Sequence, residues 1–183
     1  MVKPLDPHRL DIMAFARAAG ALEGTLPLAA LERLAESSQP AAEVPPVRWQ
    51  ARAELRTPTG GAAQPWLHLQ AQAQVQLTCQ RCLQAMPAAL EVDRWFRFAP
   101  DEAAAAALDD EVEEDVLAVS RAFDLLALVE DELLMALPLV PRHDHCPVEV
   151  PLQATDPGFE AASAEQAHPF AALARLRLDP DKP

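Results

Sequence analysis

The sequence predicts an α+β fold in which an antiparallel β-sheet meander of three to five strands is packed by helices. Three observations lead to this prediction. Apolar and polar residues alternate strictly in the central region, which is typical of half-buried strands. The connections between these segments are short, and sequential strands with short connections pair as antiparallel neighbours. Apolar residues at helical spacing occur both before and after the predicted strands.

The N-terminal part of the chain is predicted to form two helical segments with a short strand between them. The first helix is expected over 6–19, with Asp6 as its N-cap and Gly20 at its end. A short strand follows at 21–26. A second helical segment begins at Pro27, and its leucines fall on one side at helical spacing. These segments are expected to pack against the sheet.

Three central segments carry the strand pattern, at 47–56, 66–78 and 86–98. In the first two, every second residue is apolar, so one face of the sheet is expected to be buried while the other meets water. The residues predicted to point inward are Val47, Trp49, Ala51, Ala53 and Leu55 in the first strand and Leu67, Leu69, Ala71, Ala73, Val75 and Leu77 in the second.

An acid-rich segment and a strong helix follow the strands. Residues 98–120 contain eight acids and neither Lys nor Arg. This segment is predicted to be a solvated loop or short helix, closed by a short strand at Val116–Val119. A helix is then expected at about 124–136, because Asp124 is a suitable N-cap, leucines form an apolar stripe, and Pro138 stops the helix.

Length and charge restrict the class of protein. The 183 residues suit one domain, predicted over 1–146, followed by a Pro-, Ala- and acid-rich tail over 147–183 that is expected to be mobile. The formal net charge of −13 argues against an extensive electrostatic footprint on nucleic acid and suits basic partners. No apolar stretch approaches the roughly 20 residues of a membrane span, and no signal peptide is visible. A cytoplasmic protein without membrane contact is therefore expected.

Cysteine placement is the strongest chemical signal in the chain. Cys79 and Cys82 form a CQRC motif between two predicted strands, and Cys146 lies far downstream beside two histidines. Two nearby thiols, a distant Cys and a His are the parts of a tetrahedral zinc site. His143 is preferred as the fourth ligand, because the H-x-x-C spacing lets both side chains turn to one point, whereas His145 adjoins Cys146. These residues predict a structural zinc ion.

Two other interpretations of the cysteines stay open. Cys79 could be a buried small apolar residue at the end of a strand, with no metal bound. Alternatively, Cys79 and Cys82 could form a reversible disulfide in a thiol redox or chaperone-like switch, in which Arg81 stabilises a thiolate. A redox CxxC normally opens a helix, whereas this motif lies between strands. No HExxH motif is present, so no catalytic residue and no small-molecule substrate are assigned.

Evenly spaced arginines mark the outward face of the first long strand. Arg48, Arg52 and Arg56 lie there beside a row of glutamines on the next strand. They form either a plain solvated face or a basic platform for RNA phosphate or an acidic protein surface. The tryptophans are expected to pack in the core or at its rim rather than to stack bases: Trp49, Trp66 and Trp95.

Several segments taken together carry a family resemblance. They are LTCQRCLQAM at 77–86, FDLLALVEDELLMALPLVPRHDHC at 123–146 and HPFAALARL at 168–176. LEGTLPLAALERLAES at 22–37 precedes the first long strand and adds to them. In this combination the chain resembles the bacterial YceD family, the large ribosomal RNA subunit accumulation proteins, over roughly 20–178.

The resemblance implies a non-enzymatic ribosome-biogenesis factor needed for accumulation or processing of 23S ribosomal RNA. Some family members carry further cysteines after the helix; here His143 stands about where the first would fall, and Cys146 matches another. The implied partner is a ribosomal or assembly-factor protein, with 23S ribosomal RNA as a second candidate. Because each phosphate contact needs a local cation, the net charge favours contact through a basic protein. The acid-rich 101–115 segment is the expected surface for it.

Overall fold

The computed structural model describes residues 5–57 and 61–150, together with 156 and 158. By its internal contacts the chain divides into two units, Met1–Cys146 and Pro147–Pro183. Apart from 147–150, 156 and 158, the predicted tail lies outside the described residues. The elements of the first unit, in chain order, are α1 (Ile12–Arg17), β1 (Ala21–Leu26), a short 3₁₀ helix (Leu28–Ala30), α2 (Glu32–Glu36), β2 (Val47–Arg56), β3 (Gln64–Thr78), β4 (Ala85–Ala99), α3 (Glu102–Asp109), β5 (Asp115–Ala118) and α4 (Leu125–Met135).

The five strands form one sheet in which they lie in chain order. β1 to β4 pair antiparallel, as the sequence predicted. β5, however, runs parallel to β4, with Phe96 opposite Asp115 and Ala99 opposite Ala118. The prediction of a purely antiparallel meander is therefore wrong at this edge. The connection between the two strands contains α3, and a connection of this kind can return the chain to the same end of the sheet, so that the next strand runs parallel.

One face of the sheet is covered by helices and holds the core. α4 packs against β3 and β4, α1 against β2 and β3, and α2 against α4. The residues predicted to point inward from β2 and β3 are buried, except Leu55, which is 37% exposed near the end of its strand. Asp124 caps α4 as predicted, and Leu125, Val129 and Leu133 of that helix are completely buried. The alternating pattern thus predicted the buried face correctly.

The first helix starts later than predicted. A helix over 6–19 capped by Asp6 is wrong in its start, since α1 begins at Ile12 and Asp11 is its N-cap. The residues before the helix pair with the segment that precedes α4, because Leu10 exchanges two backbone hydrogen bonds with Phe123. A residue held in an extended bridge cannot also be helical, so the helix begins after it. None of the helices in the described part of the chain is long and apolar enough to cross a membrane.

β3 and β4 extend as a ribbon beyond the other strands. β2 pairs with β3 only as far as Gln72, while the pairing of β3 with β4 continues to Thr78 opposite Ala85. A two-stranded ribbon is marginally stable in water, so this part depends on what packs along its edges and tip. The backbone N–H of Gln39 donates to the carbonyl of Gln76 at 2.7 Å and thereby supports one edge. The tip carries the cysteine motif.

Candidate metal centre

The turn between β3 and β4 places Cys79 and Cys82 at the tip of the ribbon. The N–H of Cys79 donates to the carbonyl of Gln84 at 2.9 Å, and the N–H of Leu83 donates to the carbonyl of Cys79 at 2.8 Å. Leu83 adopts a positive φ of 60°, which closes the turn. Cys79 is buried and Cys82 is half-buried. The tight turn brings the two thiols close together.

The chain that follows α4 returns to this tip. The N–H of Gln80 donates to the carbonyl of Pro141 at 2.8 Å. The guanidinium of Arg81 donates to the carbonyl of His143 at 2.7 Å and to that of Asp144 at 3.3 Å. Protein hydrogen bonds alone therefore position the second segment on the turn.

The structure brings the four predicted ligands together. The sulfurs of Cys79 and Cys146 are 3.9 Å apart, and the sulfur of Cys82 lies 3.4 Å from Nδ1 of His143. The ligand atoms of these four residues all lie within 4.8 Å of one another. The three thiols are free, since a disulfide needs sulfurs about 2.05 Å apart. His145, in contrast, is exposed and lies outside the cluster.

The spacing and chemistry of the cluster fit a zinc ion. Zinc binds thiolate sulfur at about 2.3 Å and imidazole nitrogen at about 2.0–2.1 Å, so a tetrahedral site has S–S edges of about 3.8 Å and S–N edges of about 3.6 Å. The measured 3.9 Å and 3.4 Å are close to these edges. Four protein ligands leave no coordination position for water or substrate, which is typical of structural rather than catalytic sites. The cluster could therefore hold a metal ion.

The thiols of the turn differ in how readily they ionise. Burial of Cys79 opposes its ionisation, but hydrogen bonds from the backbone of Cys82, His143 and Arg81 outweigh burial and lower the pKa of Cys79 to about 5. Burial raises the pKa of Cys82, and the neighbouring thiols of Cys146 and Cys79 raise it further. One thiolate is thus stabilised by the fold, and a cation bound here would favour ionisation of the others.

Arg81 lies inside the CxxC motif and contacts the distant cysteine. Its Nε–H donates to the sulfur of Cys146 at 3.1 Å, and this hydrogen bond raises the pKa of the guanidinium. Three thiolates, a neutral imidazole and a divalent cation would carry a net charge of −1, which Arg81 would offset. The sequence indicates Arg81 as a partner of a thiolate in its own motif. Its contact with Cys146 depends on where the segment after α4 lies.

The surroundings of the motif differ from those of a redox CxxC. β3 ends at Thr78 and β4 begins at Ala85, so the motif lies in a strand-to-strand turn. A redox CxxC normally stands at a helix N-terminus, which stabilises the attacking thiolate. In the described part of the chain no helix begins at this motif. The geometry therefore favours metal binding over thiol exchange.

The tryptophans divide between the two faces of the sheet. Trp49 is buried in the core and is 8% exposed. Trp66 and Trp95 are half-buried on the outward face, where the guanidinium of Arg56 lies over both rings. Arg52 on the same face is exposed. The sequence did not predict that Arg56, Trp66 and Trp95 contact one another. The signal it offered was that Trp66 falls among the outward-pointing residues of its strand.

Comparison with known proteins identifies the family. A family model described as "Large ribosomal RNA subunit accumulation protein YceD" matches residues 67–177, more than half of the chain. A protein of that same name from Haemophilus influenzae is 37% identical over 115 residues, which are 58% of this chain and 62% of the relative. The match thus spans less than two thirds of that relative's length. No solved structure matches the chain. Because the family model extends from β3 through α4 and past all four residues of the cluster, the chain belongs to the YceD family.

Proposed function

We propose that this protein is a cytoplasmic, non-enzymatic ribosome-biogenesis factor needed for accumulation or processing of 23S ribosomal RNA. The observation that carries the proposal is family membership over 67–177, together with a relative named for accumulation of the large ribosomal RNA subunit. The matched region contains the β3–β4 ribbon, α4 and the cysteine cluster. These parts are therefore the ones on which a shared role would depend.

In this proposal Cys79, Cys82, His143 and Cys146 hold a structural zinc ion. The ion would supply a cross-link between the tip of the ribbon and the segment after α4. Two features support this: the ligand atoms have the spacing of a tetrahedral site, and the ribbon beyond Gln72 has no third strand beside it in the described residues. A cross-link at its tip would hold this ribbon against the rest of the fold.

The acid-rich segment is the proposed contact for a basic ribosomal protein or assembly factor. Asp109 and Asp110 at the end of α3, and Glu113 beyond it, are exposed. The ion pairs found among the described residues do not involve these three side chains. Exposed charge of one sign steers association with a partner of the opposite sign, and this effect weakens as salt rises.

Charge reversal tests this contact. Replacement of four acids by lysine is expected to reduce co-purification of basic ribosomal or assembly proteins, most strongly at low salt. The four acids are Asp109, Asp110, Glu113 and Glu114. Two double variants separate the effect of this surface from the effect of net charge. Asp109→Lys with Asp110→Lys changes the acid-rich segment, whereas the control, Glu36→Lys with Glu43→Lys, changes the total charge equally at exposed acids outside that segment. The proposal requires that only the first pair loses partners. An unchanged set of partners after reversal of all four acids would remove it.

The ratio of 23S to 16S ribosomal RNA in growing cells tests the proposed function itself. Depletion of the protein is expected to lower this ratio, and expression of the wild-type chain is expected to restore it. A variant that lacks a cluster ligand, such as Cys79→Ser, should restore the ratio less well, because the ribbon would lose its cross-link. An equal ratio in cells with and without the protein would refute the proposal.

A further inference from the structure

We infer that the outward face of the sheet binds single-stranded RNA through a patch of aromatic and arginine side chains. The inference rests on the proposed role in ribosomal RNA accumulation and gives that role a contact surface. The patch lies at the end of the sheet where β3 begins. Six side chains from β2, β3 and β4 form this aromatic patch: Arg52, Arg56, Trp66, His68, Trp95 and Arg97.

Strand register brings these side chains together. Trp66 lies opposite Arg97, and His68 lies opposite Trp95, in the pairing of β3 with β4. The guanidinium carbon of Arg56 lies 4.2 Å from the ring centre of Trp66 and 4.1 Å from that of Trp95. His68 stacks on Trp95 with a distance of 4.5 Å between ring centres and an angle of 9° between the planes. The ring faces thus already hold planar groups in stacked contact.

Such rings are suited to unpaired bases. Proteins stack the bases of single strands on aromatic side chains, and this stacking tolerates any sequence because every base has a π-face. The side chain of Arg56 is 40% exposed, so it can move from the ring faces to a phosphate while a base takes its place. The rings of Trp66 and Trp95 meet edge to face, with 6.4 Å between their centres and 65° between their planes, so they present two differently oriented surfaces for stacking. A duplex keeps its bases inside and cannot use these rings.

The charge of the aromatic patch is compatible with RNA although the whole chain carries −13. Its three arginines face two carboxylates, Glu54 and Asp93. Glu54 is paired with Arg56 at 2.5 Å, and Asp93 is hydrogen-bonded to His68 at 2.6 Å. Arg52 is exposed and takes part in no ion pair among the described residues. With so few cations, stacking must carry most of the affinity, and the salt dependence of binding should be shallow.

A polar groove continues from the patch across β1 to β4. It has a volume of about 590 Å³ and is lined by the amide side chains of Gln50, Gln70 and Gln72, and also by one arginine and three carboxylates: Arg48, Glu23, Glu91 and Asp93. An amide both donates and accepts hydrogen bonds, so it can contact the edges of different bases. Because its carboxylates outnumber its arginine, the groove repels phosphates, so the RNA contact is assigned to the aromatic patch and to the amides that adjoin it.

Fluorescence titration of the full-length protein tests the inference. The probe is a labelled single-stranded RNA of about 12 nucleotides, long enough for one sheet surface. Its anisotropy should rise on binding, and tryptophan emission should fall, because Trp66 and Trp95 are accessible to bases while Trp49 is buried. Trp95→Leu should weaken binding about fivefold or more. Arg52→Ala should weaken it less and lower the salt slope by about 1.

Several results would overturn the inference. They are the absence of both signals with wild-type protein, equal affinity of wild type and Arg52→Ala, and equal affinity for a duplex of the same sequence. Selective binding of a polyglutamate peptide instead of RNA would assign the patch to an acidic protein. If circular dichroism shows that Trp95→Leu does not fold, Arg52→Ala still tests the inference, because it replaces an exposed side chain whose loss should not disturb the fold. Arg121→Ala, an exposed arginine outside the sheet, should bind like wild type.

The two proposals can fail separately. If the wild-type chain restores the ratio of 23S to 16S ribosomal RNA but binds no single strand, the RNA surface is refuted and the proposed function stands. If the protein binds RNA through the patch but its depletion leaves the ratio unchanged, the surface is supported and the proposed function is refuted.

Discussion

Metal removal tests whether the cluster of Cys79, Cys82, His143 and Cys146 stabilises the fold. Cys82 and His143 are 61 residues apart in the chain, so an ion bound to both closes a long loop in the unfolded state. If the ion is treated as a covalent cross-link, closing a loop of about 60 residues is worth about 4 kcal/mol at 25 °C. We expect the metal-free protein to be less stable by up to this amount.

The loss should be visible in unfolding experiments. For a chain of this size, a change of about 4 kcal/mol corresponds to a fall in Tm of about 10 °C. Thermal and urea unfolding would be measured before and after treatment with a chelator, and elemental analysis of the same samples would give the zinc content. His143→Ala should behave like chelated protein. The neighbouring variant His145→Ala is the matched control and should keep both its zinc and its Tm, because that side chain is exposed and lies outside the cluster.

Two results would contradict the cross-link argument. One is an unchanged Tm after chelation of a sample shown to contain zinc, since the ion would then bind without holding the fold together. The other is a purified protein without zinc in which Cys79 and Cys82 change between thiol and disulfide with the ambient thiol pool. Alkylation trapping would detect that exchange and would support the redox interpretation instead.

Three further substitutions test single contacts. Arg81→Ala removes the hydrogen bond to Cys146 and should weaken zinc affinity about tenfold in competition with a chromogenic chelator; unchanged affinity would show that the guanidinium does not tune the site. Glu130→Ala removes the carboxylate that accepts two backbone N–H groups at the start of α2 and should cost about 2 kcal/mol in urea unfolding, with Glu130→Gln costing less because it keeps an acceptor. Gly20→Ala places a Cβ 2.2 Å from ring atoms of Phe15 and should cost about 1–3 kcal/mol, unless the ring can move aside.

The parts of the fold that the sequence predicted are those set by local pattern. β2 occupies the predicted 47–56 and α4 begins directly after Asp124, because alternation and helix capping act over a few residues. The direction of β5 could not be predicted in this way, because the sequence of a four-residue strand does not indicate which way the strand runs in the sheet. Likewise, the start of α1 is decided by the bridge between Leu10 and Phe123, which are far apart in the chain.

The two surfaces differ in how far the sequence could describe them. The CxxC motif directly follows β3 and the H-x-x-C motif lies in the segment after α4, and the spacing within each motif indicated the four residues that the structure brings together. Binding of zinc to them stays a prediction. The contacts of Arg56 with Trp66 and Trp95 depend on strand register, and a slip of one residue would move these side chains to the other face. Outward alternation alone could not indicate that three strands place them together.

The cluster and the aromatic patch lie at opposite ends of one strand, and this separation makes their roles distinguishable. Trp66 is near the start of β3, while Cys79 directly follows its last residue. At about 3.3 Å per residue, the strand between them is about 40 Å long. Around Trp66, β3 has β2 and β4 on its two sides, whereas beyond Gln72 it pairs with β4 alone.

Loss of the ion should therefore loosen the ribbon first and leave the patch intact. His143→Ala at a temperature below its Tm is expected to bind single-stranded RNA like wild type while it fails to retain zinc. Parallel loss of both properties would show that the ribbon and the patch unfold together, which contradicts a local role for the cross-link.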